Sequence, residues 1–295
     1  MTENKLIFDF GTNSFKAFLY DADNKMLFQK KVENRLGDGG SNSKISGDST
    51  QNAINILNVI LDDVKKFGPY STKAFGTEIF RIAENAGDVI DEIKNKTGVV
   101  IQVLSQQDEL EYYWKGLVKD FNHDGDIAAI DIGGGSVQFM YGDKNKLKGS
   151  YLLKTGALFL RKMFIENDPA TVEAYKKIEE YIAEQIKDIN VKFAPNTPFI
   201  HGATSVIDFY TEAKLNLVPF ESSKSHPYKI DLKDSRDFYN TMKILPKNER
   251  AKYFPSQPDF TDGASIGLAN VLLLAEKTGL TYEVPSNHNL INGFL

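Results

Sequence analysis

The sequence predicts an α/β protein made of two domains that share one order of elements. Three observations predict this fold class. At 295 residues the chain is long enough for two domains that each bury a core. Each half shows strand and helix patterns in the order three strands, helix, strand, helix. A short motif, aspartate-x-glycine-x-x-serine, stands near the start of both halves, at residues 9–14 and 131–136.

The first half begins with three predicted strands, at residues 5–10, 15–21 and 26–32. A polar loop over residues 37–48 follows, and Ser105 with Asp108 has the spacing of a helix N-cap and its N3 acid. The other predicted elements are a helix at 50–67, a strand at 72–76, helices at 77–85 and 88–97, an apolar strand at 99–104 and a helix from 105 to about 121.

The polar stretch at residues 122–126 predicts the domain boundary. We therefore expect domains at 1–124 and 125–280, with the segment 281–295 packing back on the first domain. Past the boundary the order of elements restarts. The predicted elements are strands at 127–132, 137–142 and 146–153, helices at 156–164 and 169–188, a strand at 197–200, helices at 204–215, 234–244 and 262–278, and a strand at 281–284.

Composition and charge exclude several classes of protein. The apolar share of 41% and the charged share of 25% are those of an ordinary globular chain, and no apolar run approaches the ~18 residues of a membrane span. The net charge of −5 argues against general nucleic-acid binding. The chain has no cysteine, which excludes disulfides and thiolate metal sites and is compatible with the cytoplasm, where we expect the protein to act.

The two glycine-containing motifs predict anion-binding turns. A tight turn that follows a buried strand can point successive backbone N–H groups into one concavity, and glycine allows close approach and positive φ. The flanking carboxylates of Asp9 and Asp131 cannot bind a phosphate themselves, but they can hold a cation, orient a water or cap the turn. A single turn of this kind is usually only a hairpin. Two copies at equivalent places predict a clamp that binds phosphate from both sides of a cleft.

These motifs resemble those of the exopolyphosphatase and guanosine pentaphosphate phosphohydrolase (Ppx/GppA) family, in the actin-like superfamily. Residues 9–14 resemble its first phosphate motif and residues 131–136 its second. Thr77, Arg81 and Asn85 resemble the segment that carries an arginine into the active site, and residues 105–109 resemble a helix start with a catalytic glutamate. The resemblance covers essentially the whole chain. It implies two ribonuclease-H-like domains of the actin-like ATPase type with a cleft between them.

The resemblance also implies the residues of the site. Glu109 would be the general base, since a carboxylate in the first turn of a helix is favoured in its ionised form. Asp131 and Gln138 would take part in catalysis, and Asp9 and Asp131 would contact Mg²⁺, directly or through water. Phosphate contacts would come from Gly11, Thr12, Asn13, Ser14, Arg81, Gly133, Gly134, Gly135 and Ser136.

Three functions remain open at this stage. The first is a Mg²⁺-dependent phosphohydrolase that releases phosphate from inorganic polyphosphate or a guanosine polyphosphate; a homodimer is a further expectation. The second is a weak or inactive relative that binds such anions as a sensor, because Gln138 stands where the family has glutamate. The third is a kinase that uses ATP, which the loop at residues 200–204 disfavours because it lacks paired glycines.

Overall fold

The structure, a computed structural model, describes residues 3–11, 14–34, 36, 44–256 and 258–295. Its contacts divide the chain into two compact units, Met1–Tyr112 with Leu295 and Tyr113–Phe294. Each unit has its own sheet and its own hydrophobic core. The predicted fold class, an α/β chain with two domains, is confirmed.

The first unit is built on a five-stranded sheet in the order β3-β2-β1-β4-β5 among the described residues. β1 pairs antiparallel with β2 and parallel with β4, and β5 pairs parallel with β4. This is the ribonuclease-H-like order that the resemblance implies. The strands are β1 (Asn4–Phe10), β2 (Ser14–Tyr20), β3 (Met26–Glu33), β4 (Tyr70–Gly76) and β5 (Ile101–Val103); the helices are α1 (Gly47–Val64), α2 (Glu78–Ile82), α3 (Ala86–Thr97) and α4 (Gln106–Val118), with a 3₁₀ turn at Lys65–Phe67.

The apolar pattern of the sequence explains the first core. β1 lies in the middle of the sheet, and its side chains from Leu6 to Phe8 are fully buried on both faces. Helix α1 buries Ala53, Leu57, Ile60 and Val64, which recur at helical spacing and face the sheet side of the core. The predicted helix start at Ser105 is also confirmed, because its Oγ accepts a hydrogen bond from the Asp108 N–H at 3.0 Å.

The second unit repeats this order within a seven-stranded sheet among the described residues, β10-β11-β12-β9-β6-β7-β8. β6, β7 and β8 form the antiparallel part, and β6, β9 and β12 run parallel. The strands are β6 (Ile127–Ile132), β7 (Val137–Gly142), β8 (Leu147–Leu153), β9 (Phe199–Gly202), β10 (Val218–Pro219), β11 (Tyr228–Asp231) and β12 (Tyr282–Ser286).

The helices of the second unit cover this sheet. Helix α10 is apolar on almost its whole circumference, and residues from Ala264 to Ala275 are buried nearly without interruption, as expected of a helix inside a core. The helices are α5 (Ala157–Phe164), α6 (Val172–Gln185), α7 (Val206–Glu212), α8 (Leu232–Met242), α9 (Lys247–Arg250) and α10 (Ala264–Thr278), with 3₁₀ turns at Ala251–Tyr253, Pro258–Asp262 and Leu290–Phe294.

Some elements were not predicted from the sequence. They are the strands β10 and β11, which extend the second sheet beyond β12, and the short helix α9. The second compact unit begins at Tyr113, whereas the sequence predicts the boundary at residues 122–126. In the segment 281–295, strand β12 pairs with β9 and β11, and His288 Nδ1 lies 2.9 Å from the backbone oxygen of Gly116 in α4. The predicted domain bounds stay a prediction. Within the part of the chain that the structure describes, no helix is long and apolar enough to cross a membrane.

Helix α1 supplies a test of the first core. Replacing Leu57, which has no exposed surface, by alanine should lower the free energy of unfolding by about 2–5 kcal/mol, because the side chain leaves a cavity. The matched control is Val59→Ala on the same helix, at a side chain that is 53% exposed, which should change stability by no more than about 0.5 kcal/mol. Urea unfolding followed by circular dichroism measures both; equal losses would show that α1 does not pack as described.

Candidate functional site

In the first unit the predicted site residues follow the three parallel strands. The first glycine turn follows β1, Arg81 lies in α2 just after β4, and Glu109 lies in the first turn of α4 after β5. The carboxyl ends of parallel strands meet at one edge of a sheet, which is where α/β proteins bind ligands. The topology therefore gathers these residues on one edge of the first sheet.

Arg81 and Glu109 form an ion pair at this edge. Arg81 Nη1 donates to Glu109 Oε2 at 2.8 Å and to the backbone oxygen of Leu104 at 2.9 Å. Both side chains are partly exposed, at 25% and 32%. The arginine thus holds the carboxylate in place while other N–H groups of its guanidinium remain for further acceptors.

The pKa of the Glu109 carboxyl is raised above its ordinary value. Burial is the largest cause, because it disfavours the charged form. The hydrogen bond and positive charge of Arg81 act in the opposite direction, and the negative charges of Asp9 and Glu78 raise the pKa further. A carboxylate with a raised pKa is a stronger proton acceptor, which suits a general base.

Asp9 has a partner that the sequence-based prediction missed. In the hairpin of β1 and β2, Asp9 lies directly opposite Lys16, and Lys16 Nζ is 3.3 Å from Asp9 Oδ2. The Asp9 side chain is largely buried, so the lysine charge compensates it where water cannot. Lys16 stands two residues after Ser14, in the second strand of the hairpin, where it lies opposite Asp9. This position in the hairpin is the signal that could have revealed the pair.

The two glycine turns have the same backbone geometry where both are described. The Gly11 N–H donates to the Ser14 carbonyl at 3.0 Å, and the Gly133 N–H donates to the Ser136 carbonyl at 2.9 Å. This confirms that the repeated motif forms the same tight turn twice. Thr12 and Asn13, predicted as phosphate contacts, lie outside the described residues.

The second turn is held from behind by helix α5. The Ala157 N–H donates to the Gly133 carbonyl at 3.0 Å, and the N–H groups of Leu158 and Phe159 donate to the Gly134 carbonyl at 3.0 and 2.9 Å. The turn itself is exposed, and the N–H groups of Gly134, Gly135 and Ser136 donate to no acceptor among the described residues. Its carbonyls are therefore engaged while three successive N–H groups remain for an anion.

Close packing requires a glycine at position 156, beside the second turn. Among the described residues the glycines with positive φ are at 68, 98 and 279, none of them in either turn, so the expected positive φ is not found there. A Cβ on Gly156, just before α5, would lie 2.2 Å from the carbonyl carbon of Gly135 and 2.3 Å from the Ser136 nitrogen. Only glycine at 156 lets α5 approach the turn closely enough for its hydrogen bonds.

Asp131 and Gln138 face each other across the second hairpin. They are direct cross-strand partners of β6 and β7, as predicted from the turn between them. The hydroxyl of Tyr113, from α4, lies close to Asp131, and both burial and the aspartate charge raise the pKa of Tyr113. The same hydroxyl donates to the Gly202 carbonyl at 2.8 Å. The sequence-based prediction missed Tyr113, because its place in α4 carries no sign of a contact with Asp131.

The residues of each unit come together as two separate sets. Asp9, Arg81 and Glu109 belong to the first unit, and the glycine turn with Asp131 and Gln138 belongs to the second. That both sets act on one phosphate chain stays a prediction.

The carboxylates fit Mg²⁺ only as a partner of phosphate. No group of three or more histidine, aspartate or glutamate side chains within the described residues could hold a metal ion. Mg²⁺ commonly binds through one or two carboxylates, with phosphate oxygens and water completing its octahedron. Asp131, with Gln138 opposite, fits such a small donor set, and a lysine charge lies beside Asp9. That either aspartate contacts Mg²⁺ stays a prediction.

The fold defines a class, the α/β proteins with duplicated ribonuclease-H-like sheets. The sequence profile of the Ppx/GppA phosphatase family matches residues 20–272, and the chain belongs to this family. Solved structures show the same fold. This chain superimposes on the Aquifex aeolicus Ppx/GppA phosphatase with a TM-score of 0.84. The match covers 99% of this chain and 98% of the other, at 20% sequence identity. An exopolyphosphatase from Cytophaga hutchinsonii gives 0.77 over 99% and 96% of the chains, at 21% identity.

Curated relatives have a similar sequence identity and are longer than this chain. A protein of Fusobacterium nucleatum named bifunctional 3-dehydroquinate synthase/phosphatase is 22% identical over 97% of this chain and 45% of its own length. Exopolyphosphatase 1 of Mycobacterium leprae is 24% identical over 63% and 56%. A guanosine-5'-triphosphate,3'-diphosphate pyrophosphatase of Vibrio parahaemolyticus is 23% identical over 61% and 39%. The chain thus spans about half the length of these relatives.

The Arg81–Glu109 pair supplies a test that needs no substrate. Arg81→Met removes the charge that lowers the pKa of Glu109, while burial and the negative charges of Asp9 and Glu78 remain. We expect the pKa of Glu109 to rise further above its ordinary value, measured by carbon NMR titration of the carboxyl. Arg236→Met is the control, because Arg236 pairs with Glu276 in the second unit. A pKa that falls, or that moves equally in the control, would contradict the described pair.

Proposed function

We propose that the protein hydrolyses phosphoanhydride bonds and releases phosphate from inorganic polyphosphate or from a guanosine polyphosphate. The observation that carries the proposal is Glu109, a carboxylate with raised pKa held by Arg81 at the ligand-binding edge of the first sheet. Membership of the Ppx/GppA phosphatase family and the names of the curated relatives, exopolyphosphatase and guanosine polyphosphate pyrophosphatase, support this chemistry.

The proposed reaction needs one base and several groups that bind oxyanions. Glu109 accepts a proton from the attacking water, whose oxygen forms a bond to the terminal phosphorus as the bridging P–O bond breaks. Arg81 binds phosphoryl oxygens with its remaining N–H groups. The N–H groups of Gly134, Gly135 and Ser136 bind oxygens of the chain, and their engaged carbonyls keep them in position.

The proposal includes Mg²⁺ at Asp131, with Gln138 as a neutral neighbour. The ion would supply charge neutralisation of the phosphate oxygens when it is bound. Action in the cytoplasm and a homodimer are further parts of the proposal, supported respectively by the absence of cysteine and by the family resemblance.

A second candidate function, anion binding without turnover, is favoured by one observation. Gln138 lies directly opposite Asp131, so an uncharged amide stands at the place where a second carboxylate would complete an anionic pair. Hard cations prefer anionic oxygen ligands, and an amide contributes less. The protein would then bind polyphosphate or a nucleotide polyphosphate as a sensor. Turnover measurements on the protein and its variants separate the two functions.

The role of Glu109 is tested by its amide. Glu109→Gln keeps the shape of the side chain but cannot accept a proton, so phosphate release should fall by on the order of 10²–10⁴. Anion affinity should change little, because other groups bind the phosphate chain. The control is Glu111→Gln, at an exposed glutamate two residues further along α4, whose hydrogen bond is to Gln107. Phosphate release from long-chain polyphosphate is the measurement, and equal rates in the protein and Glu109→Gln would remove Glu109 from the mechanism.

The amide at Gln138 generates a second test. We expect weak hydrolysis and a shallow Mg²⁺ dependence in the protein as it stands. Gln138→Glu adds an anionic oxygen opposite Asp131, so it should lower the Mg²⁺ concentration needed and raise turnover. Phosphate release is measured against Mg²⁺ at fixed ionic strength, so that added salt does not mask the effect.

Gln185→Glu at the end of α6 controls for the added charge in the same unit. High turnover in the unchanged protein, with no gain from Gln138→Glu, would show that the amide is an adequate ligand.

A further inference from the structure

A pocket opens in the second unit beside the second glycine turn. It encloses about 830 Å³, including space open to solvent, and it lies among β6, α5, α7 and α10. Its walls are mostly apolar, from Ile132, Leu158, Val206, Phe209, Phe260 and Leu268. Gly133 and Gly134 of the turn form part of the same lining. A ligand in this pocket would therefore touch both an apolar surface and the anion-binding turn.

The described lining contains one titratable side chain, that of His201, and neighbouring side chains hold its ring. His201 Nδ1 lies 3.4 Å from Glu283 Oε2 and 3.4 Å from the Tyr210 hydroxyl. Glu283 is fully buried, and its other oxygen accepts a hydrogen bond from Ser235 at 2.5 Å. These contacts occupy the Nδ1 edge of the imidazole. His201 is the one described residue of the lining whose side chain can form a hydrogen bond, and the rest of the walls are glycine or apolar.

This combination selects the chemistry of the ligand. Inorganic phosphate chains have no apolar surface to place against such walls. A nucleobase has several polar edges, and each one buried without a partner costs free energy. An aromatic or aliphatic group with at most one polar atom gains from leaving water and leaves nothing unpaired. The turn beside it offers three N–H groups to a phosphoryl group.

We propose that this pocket binds the apolar group of an organic phosphate, with the phosphoryl group on the N–H groups of residues 134–136. The ligand would bind the same N–H groups as the phosphate chain does in the proposed function. The competition between the two ligands rests on that proposed function. An organic phosphate of this kind therefore competes with polyphosphate for the turn and inhibits its hydrolysis.

The test compares two ligands by calorimetric titration, 1-naphthyl phosphate and inorganic phosphate. The protein should bind 1-naphthyl phosphate at least about tenfold more tightly, because an aromatic ring leaves water. Gly267, in α10 and in the pocket lining, gives the blocking variant: a Cβ there meets no atom closer than 3.8 Å, so a larger side chain enters the empty space. Gly267→Leu should abolish the advantage of the naphthyl group, and the small matched control Gly267→Ala should retain most of it.

A second pair of variants keeps the test independent of how well Gly267→Leu folds. Leu158 is 55% exposed and lines the pocket, so Leu158→Ser removes apolar wall at a position that tolerates change. Met163→Ser is the control, at a side chain of α5 that is 49% exposed and outside the lining. Leu158→Ser should weaken binding of 1-naphthyl phosphate and leave that of inorganic phosphate unchanged, while Met163→Ser should alter neither.

Two results would overturn the proposal. One is equal affinity for 1-naphthyl phosphate and inorganic phosphate in the unchanged protein. The other is GTP binding that is at least as tight as that of 1-naphthyl phosphate and is lost in Gly267→Leu, which would show that the pocket takes a polar heterocycle. Because these are binding measurements, they stand apart from phosphate release, and a failure of the proposed hydrolysis leaves their outcome unaffected.

Discussion

The second glycine turn depends on the backbone hydrogen bonds that it accepts from helix α5. The N–H groups of the first turn of a helix have no partner within the helix, and here those of residues 157–159 donate to the carbonyls of Gly133 and Gly134. These bonds fix the turn through two of its carbonyls. The N–H groups from Gly134 to Ser136 donate to no acceptor in the part of the chain that the structure describes, so they keep their capacity for an anion.

The same contact restricts the sequence on both sides of it. Gly156 must lack a side chain, because a Cβ there would lie much closer to atoms of the turn than van der Waals contact allows. Leu158 covers Gly134, since a Cβ on that glycine would lie 3.1 Å from Leu158 Cδ1. The polar turn and the apolar pocket beside it therefore both depend on where the backbone of α5 lies, and a displacement of that backbone would alter both.

The two units share one strand order, but the residues opposite their motif aspartates differ in charge. The residue opposite the motif aspartate is Lys16 in the first unit and Gln138 in the second. A lysine near Asp9 compensates the carboxylate and disfavours a cation there, because the two positive charges would repel. The amide at Gln138 adds no charge beside Asp131. In the proposed function this difference assigns the base to the first unit and the ion and the phosphate chain to the second.

Much of the fold was predicted from the sequence, and the strands that the prediction missed were missed for physical reasons. Strands such as β6 and β7 were predicted to the residue because their apolar runs end in unambiguous turn residues. β10 and β11 were missed because two and four residues are too short to show a period.

In the site, the catalytic candidates were predictable and their partners were not. Asp9, Arg81, Glu109 and the turn glycines stand in recognisable motifs, whereas Lys16 and Tyr113 act through contacts that only the folded chain creates. Close packing requires glycine at position 156, whereas no described glycine of either turn has the expected positive φ.

The ion pair of Arg81 and Glu109 has a consequence for the proposed hydrolysis. Arg81 lowers the pKa of a carboxyl that burial and the charges of Asp9 and Glu78 raise. A phosphoryl group that draws the guanidinium towards itself weakens this opposing influence. The pKa of Glu109 then rises, and the carboxylate becomes a stronger base at the moment when a substrate is present. Before that moment, the ion pair keeps Glu109 ionised, since the charged partner favours the charged form. The same arginine thus prepares the base without a substrate and strengthens it when one binds.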